Sequence, residues 1–196
     1  MPYYSKFPTC IAANGDPLVH PSETTQLDYE VELAIVIGKE GRRIPQEKAM
    51  EYIAGFTVAH DVSARDWQLK KNGGQWLLGK ACDGFAPLGP AIVTPEDCGD
   101  ITNLRLRTIV NGVVKQDGNT RELVHSPEKC VAWISKLITL KPGDVILTGT
   151  PPGVGCFQKP DPFWLKIGDS VTVEIENLGS ITNVVVSRDW CGKGCA

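Results

Sequence analysis

Several features that would mark a function at a glance are missing or scarce in this 196-residue chain. No apolar run approaches the ~18 residues a membrane-crossing helix needs, so no membrane span is expected. Lysine and arginine number 20 against 23 aspartates and glutamates, a net charge of −3, and form no basic block. The electrostatic footprint of a nucleic-acid binder is therefore absent. The seven cysteines (Cys10, Cys82, Cys98, Cys130, Cys156, Cys191 and Cys195) are odd in number and include no Cys-x-x-Cys pair. In a chain this long that argues against a secreted disulfide framework and for a reducing interior. Cys191 and Cys195 have no histidine beside them, and tetrahedral zinc wants four ligands, so a frayed tail with free thiols is expected there. The first residues carry neither an apolar signal segment nor an Arg-rich amphipathic stretch, so no targeting segment is expected.

What is present is ordinary for a globular protein: 42% hydrophobic and 22% charged residues, which excludes global disorder. The length suits one domain with a sizeable core. Twenty glycines and 14 prolines imply many turns and short strands. The run Tyr29–Ile37 reads as a strand whose second half is buried on both faces. Pro45 opens a short helix reaching Ile53, with Gly55 placed to cap it. Phe56–Val62 is a further strand, and residues 66–80 are helical or irregular, broken by Asn72-Gly73-Gly74. Leu104–Val110 and Val113–Gln116 flank Asn111-Gly112, the signature of a type I′ hairpin. Ser126 caps a helix with Pro127 at its first position, and Cys130, Val131, Ile134, Leu137 and Ile138 recur at helical spacing until Lys141-Pro142-Gly143. Val145–Leu147 is a short strand, and Val171–Ile175 and Ile181–Val186 form a last hairpin around Asn177–Gly179. The sum is an α+β, mostly β domain with a few short helices over residues 28–187, between an irregular segment 1–27 and a tail 188–196.

Four segments carry chemistry. Glu30 and Glu32 are two apart on a strand, so both carboxylates share one face about 6.6 Å apart. Either that face is wet, or something positive neutralises it, and a divalent cation does so best because hard cations choose oxygen. In F-T-V-A-H-D-V-S-A-R-D-W-Q, Asp61 closes an apolar strand and is followed by Arg65, Asp66 and Gln68. This is a polar cluster at a strand's end or a plain Asp–Arg surface pair. His60, one position earlier, faces the other way and reads as structural. Lys80 is the only cation in a long apolar stretch; it snorkels or pairs with buried carboxylates, Asp83 being one candidate. The run T-G-T-P-P-G-V-G from Thr148 lacks the ending of a phosphate loop. It is a tight turn or a set of backbone N–H groups converging on an anion such as a carboxylate. Three carboxylates, a divalent ion and Lys80 would sum to a neutral cluster open on one side to an oxygen-rich substrate.

Together D-Y-E-V-E-L-A-I-V-I-G-K, F-T-V-A-H-D-V-S-A-R-D-W-Q, Q-W-L-L-G-K, F-A-P-L-G-P and G-D-V-I-L-T-G-T-P-P-G-V-G resemble the fumarylacetoacetate hydrolase domain family, in family order, over about four-fifths of the chain. The resemblance implies a mixed β-roll, a homodimer, and Glu30, Glu32 and Asp61 as ligands of Mg²⁺, with Mn²⁺ or Ca²⁺ as alternatives. It implies that Arg65, Gln68 and Lys80 are catalytic and contact the substrate's carboxylate or carbonyl oxygens, with Thr150 lining the same pocket. Family substrates are 2-oxo acids and β-diketo acids, and the reactions are C–C hydrolysis, decarboxylation and keto–enol isomerisation. The branch it most resembles is associated with oxaloacetate tautomerisation, in the mitochondrial matrix or cytoplasm. A C–C hydrolase, a decarboxylase and a non-catalytic metal and dicarboxylate binder are the alternatives. Members of the family usually begin with a His-x-x-Glu segment that activates water. Met1–Lys6 resembles the stretch just after that segment, so no equivalent pair is expected, and His20-x-x-Glu23 shares only its spacing.

Overall fold

A computed structural model describes residues 3–189. Its strands, in chain order, are β1 (Ile11–Ala12), β2 (Leu18–Val19), β3 (Leu27–Asp28), β4 (Val31–Ile37), β5 (Ile53–His60), β6 (Ser63–Ala64), β7 (Ala86–Val93), β8 (Arg105–Val110), β9 (Val113–Asn119), β10 (Val145–Leu147), β11 (Ser170–Ile175) and β12 (Gly179–Val186). Two α-helices join them, α1 (Leu77–Lys80) and α2 (Pro127–Ser135), with short 3₁₀ and π turns. One five-stranded sheet runs β1-β7-β5-β4-β10 and a second runs β2-β12-β11-β8-β9, while β3 and β6 form a small third sheet. The β1/β7 and β2/β12 pairs are parallel and the other pairs antiparallel. This is the mostly β, mixed architecture expected.

The β-branched run of β4 is buried along its whole length, because β5 and β10 pair with both of its edges. Val31, Leu33, Ile35 and Ile37 enter the main core with Val173, Ile175 and Ile181 of the second sheet and with Cys130 and Val131 of α2. A second core gathers Leu18, Leu27, Tyr29, Val62, Phe85 and Leu165 beneath β3 and β6. The Asn111-Gly112 turn has φ of 51° and 80°, the left-handed pair a type I′ hairpin requires. Ser126 accepts from the Lys129 N–H and Pro127 starts α2, as expected.

Three local expectations need correction. The turn after Pro45 is a 3₁₀ helix over Gln46–Tyr52 that ends at Ile53. Gly55 does not cap it but lies in β5 opposite Val36, where an added Cβ would run into the Val93 backbone. Helix α2 stops at Ser135, well before Lys141. The N–H groups of Lys136 and Leu137 bond three residues back, tightening the last turn. Leu137 and Ile138 consequently face out, at 81% and 60% exposure. The segment 1–27 is not wholly irregular, since β1, β2 and Leu27 of β3 lie in it, one strand for each sheet. Of the expected tail, residues 190–196 lie outside the described residues, and with them Cys191 and Cys195. The five described cysteines are free thiols.

Candidate metal centre

The centre is built by strand register. Val31 pairs with His60 across β4 and β5, and the Asp61 N–H continues the ladder to the Glu30 carbonyl at 2.9 Å. Residues opposite each other project to the same face. Asp61 therefore joins Glu30, and Glu32 follows two residues along. One carboxylate oxygen from each of the three lies within 4.8 Å of the others. All three residues are buried, Asp61 completely. His60, opposite Val31, faces away, is fully buried, and has neither ring nitrogen hydrogen-bonded. Burial pushes its pKa down to about 3, so it is a neutral packing residue.

Cations close around these acids. Lys80 ends α1 with its Nζ 2.7 Å from Glu30 Oε2 and 2.7 Å from Asp61 Oδ2. Asp83, the other candidate partner, is exposed. Arg65 donates from Nε to Asp28 at 2.8 Å, from one terminal nitrogen to Glu30 at 2.6 Å and from the other to Gln68 Oε1 at 2.9 Å. The two expected substrate contacts are thus tied to each other and to the acids, as a buried group and not as a surface pair. Asp66 leaves the cluster to cap the turn over Trp67–Lys71 and pair with Lys71 at 2.7 Å. Lys6 reaches Asp61 Oδ1 at 2.7 Å, and the Tyr4 hydroxyl donates to Asp61 Oδ2.

The glycine-rich run offers its N–H groups to carboxylates, and these belong to the protein itself. Gly149 donates to Glu32 Oε2 at 2.6 Å, and Gly155 and Cys156 donate to the two oxygens of Asp28 at 2.7 and 3.0 Å. A Cβ at Gly155 would sit 2.6 Å from Asp28 Oδ1, so only glycine fits this cradle. Thr150 lines the same space, but its hydroxyl donates to the Val31 carbonyl at 2.8 Å. It also accepts from Gln116 at 2.8 Å. Gln116, buried on β9, bonds the Val31 N–H, Thr108, Thr150 and Pro151 and so stitches the second sheet to the site.

Four buried carboxylates therefore face three cationic side chains, one negative charge too many, whereas the neutral cluster expected from the sequence counted three carboxylates, one lysine and a divalent ion. Burial pushes Glu32 well above the usual carboxylate range, and the neighbouring Asp61 and Glu30 push it further. Burial also raises Glu30, although Lys80 and Arg65 pull it back. Asp61 goes the other way, since Lys80 and Lys6 together overcome its burial and hold it below the usual range. Burial works against the charge on Lys80, but Asp61, Glu30 and Glu32 outweigh it and keep the ammonium protonated. Burial and the same acids raise Tyr4, which stays a phenol. Three all-oxygen side chains this close, one of them pushed toward its protonated form for want of positive charge, fit a hard divalent cation with bonds of roughly 2.0–2.6 Å.

Glu30, Glu32, Arg65, Gln68, Lys80 and Thr150 line a cavity of about 1420 Å³. Tyr4, Trp76, His125 and Phe157 also face it. His20 and Glu23 do not line it; His20 Nδ1 lies 2.9 Å from the Pro21 carbonyl and Glu23 pairs with Arg188 at 3.1 Å. The residues missed in the sequence are Tyr4, Lys6, Asp28 and Gln116. Asp28 could have been found, because D-Y-E-V-E puts it two places before Glu30.

Fold and site together define a family. The family model described as fumarylacetoacetate (FAA) hydrolase, C-terminal, matches residues 1–186, and the chain belongs to this family. Among individual proteins, it is 56% identical over 183 residues to oxaloacetate tautomerase FAHD2A, mitochondrial, of Homo sapiens, covering 93% of this chain and 58% of that protein. It is 55% identical to oxaloacetate tautomerase fahd2, mitochondrial, of Xenopus laevis, covering 93% of this chain and 57% of the relative. The chain thus spans under three-fifths of the length of these curated relatives. Among solved structures it resembles a fumarylacetoacetate hydrolase from psychrophilic Exiguobacterium antarcticum, with a TM-score of 0.89, 43% identity, and coverage of 94% of this chain and 66% of that one. It also resembles a 5-carboxymethyl-2-hydroxymuconate delta-isomerase from Mycobacterium smegmatis, with a TM-score of 0.85, 43% identity, and coverage of 93% and 68%.

Proposed function

We propose that this chain is a divalent-metal-dependent tautomerase of oxaloacetate, with Glu30, Glu32 and Asp61 as the ligands of Mg²⁺. One observation carries the reading: three buried carboxylates converge beside Lys80, and two of them, Glu30 and Glu32, line a large cavity with that lysine. The relatives named oxaloacetate tautomerase support the choice of substrate, and their mitochondrial naming supports that compartment over the cytoplasm. A homodimer, as the resemblance implies, belongs to the same reading.

A bound divalent ion supplies a Lewis acid for the oxygens of a 2-oxo acid. The rest is done by the chain. With a +2 ion and all four carboxylates ionised, the cluster carries one positive charge, which suits an anionic ligand. Lys80 is the preorganised ammonium for the oxygen on which enolate charge develops, and charge placed in advance is commonly the largest catalytic term. Arg65 keeps one N–H free on each terminal nitrogen beyond its described bonds, and Gln68 engages only Oε1. Their remaining N–H groups are the donors for the substrate's carboxylate. Thr150, with its hydroxyl committed inward, lines the pocket and holds the loop.

Following enol-oxaloacetate in the ultraviolet, with Mg²⁺ and with a chelator, tests this. Turnover above the uncatalysed rate that vanishes with the chelator is expected. Rates equal to the control in both would make the chain a binder of metal and dicarboxylate. Faster cleavage of an acylpyruvate in the same buffer would make it a C–C hydrolase.

A further inference from the structure

We propose that Tyr4 is a positioning residue of the acidic centre: its hydroxyl holds Asp61 while no ion is bound and leaves that carboxylate when a divalent cation is coordinated. The proposal rests on the metal reading above and adds a competitor to it.

Asp61 Oδ2 accepts from both Tyr4 Oη and Lys80 Nζ, and Oδ1 faces Lys6 Nζ at 2.7 Å. A carboxylate oxygen has about two lone-pair positions, so those of Oδ2 are both taken before any ion arrives, while Oδ1 is ion-paired with Lys6 but accepts no hydrogen bond. The three groups around Asp61 are not equally fixed. Lys6 is anchored by backbone carbonyls: it donates to those of Lys80 and Phe85, the latter at 2.7 Å, with that of Val62 at 3.4 Å. Lys80 is anchored by Glu30 at 2.7 Å. Both are charged and offset buried acids.

Tyr4 is neutral, and its hydroxyl has no other described partner. Its ring is held only by contacts, 5.7 Å from the Trp76 ring centroid and 5.2 Å beneath Lys80 Nζ. It belongs to a strap, residues 3–7, that forms no helix or strand and precedes the 3₁₀ turn Pro8–Cys10. Tyr4 and the incoming ion therefore compete for the same face of Asp61. The phenol is the donor that can leave without stranding a charge, and it lines the cavity from which the ion enters.

The test compares the full wild-type chain with Tyr4→Phe, which keeps the ring and removes only the hydroxyl. Calorimetric titration with MgCl₂ gives the affinity, and near-ultraviolet difference absorbance reports the phenol. Hydrogen bonds to charged groups are strong enough that losing this one should tighten Mg²⁺ binding roughly tenfold. MgCl₂ should also produce a tyrosine difference signal in the wild type that Tyr4→Phe lacks. Tyr4→Leu, which removes the ring as well, should bind at least as tightly as Tyr4→Phe. Equal or weaker affinity in a folded Tyr4→Phe chain would overturn the proposal while leaving the metal site standing. Absence of Mg²⁺ binding in wild type and variant alike, by heat and by thermal shift, would overturn the metal reading and this proposal with it.

Discussion

Two groups of ion pairs lie at the two five-stranded sheets, at nearly the same distances and in opposite surroundings. On the first, Lys80, Glu30 and Asp61 meet at 2.7 Å with side chains 0–8% exposed. On the second, Arg105 and Asp117 pair across β8 and β9 at 2.5 Å, but these side chains are 54% and 45% exposed. Arg107 and Glu174, across β8 and β11, pair with Nε at 2.6 Å and are about 30% exposed. Distance does not separate the two groups; water does. Exposed charges keep most of their hydration and lose little when a partner goes. Buried ones have given up hydration and depend on the partner to remain charged. The first group is therefore a place where charge is kept ready, and the second is cross-strand decoration.

The largest effect is expected at Lys80. Lys80→Met leaves Glu30 and Asp61 buried without their shared ammonium, and denaturant unfolding should show a loss of about 3–5 kcal/mol. A loss no larger than for Arg107→Ala would mean that the cluster is wetter than its burial suggests.

The next effect is that of an ion on pH dependence. Glu32 is raised above its unfolded value, so its contribution is fully present below that value and is lost as pH rises through the folded one. Asp61 is lowered, so its contribution holds above its unfolded value and fades only in acid. As pH rises above the ordinary carboxylate range the metal-free melting temperature should consequently fall through Glu32. On the proposed reading Mg²⁺ replaces that proton, so saturating MgCl₂ should remove the decline and add about 2.7 kcal/mol at a hundredfold excess over the dissociation constant. A melting temperature indifferent to both pH and Mg²⁺ above that range would count against the site.

The smallest effects belong to the second sheet. Arg107→Ala should cost at most about 1 kcal/mol, and less in high salt. Arg105→Ala should leave the melting curve where it was. A clear destabilisation by Arg105→Ala would show that exposure is the wrong variable for telling the two groups apart.

The acidic centre was half legible. The period of two put Glu30 and Glu32 on one face, and a lone lysine in an apolar stretch marked Lys80 as a residue that either snorkels or pairs. The choice of Asp61 over Asp83 as the partner of Lys80 needed the register of β5 against β4. The glycine-rich run could be read as a nest for a carboxylate, but the carboxylates turned out to be Glu32 and Asp28 of the same chain. Tyr4 and Lys6 carried no signal, because they stand in a segment without periodicity and meet Asp61 across more than fifty residues of chain. The apolar spacing through Leu137 and Ile138 overreached because the last turn of α2 tightened and turned both outward.

Local rules thus set the strands, the Asn111-Gly112 turn, the Ser126 cap and the shared face of two glutamates, since each depends on residues within a few positions of one another. Which charges meet, and which of them keep their protons, was decided by pairing between distant segments. Burial there removes the water that would otherwise make every such contact weak and interchangeable.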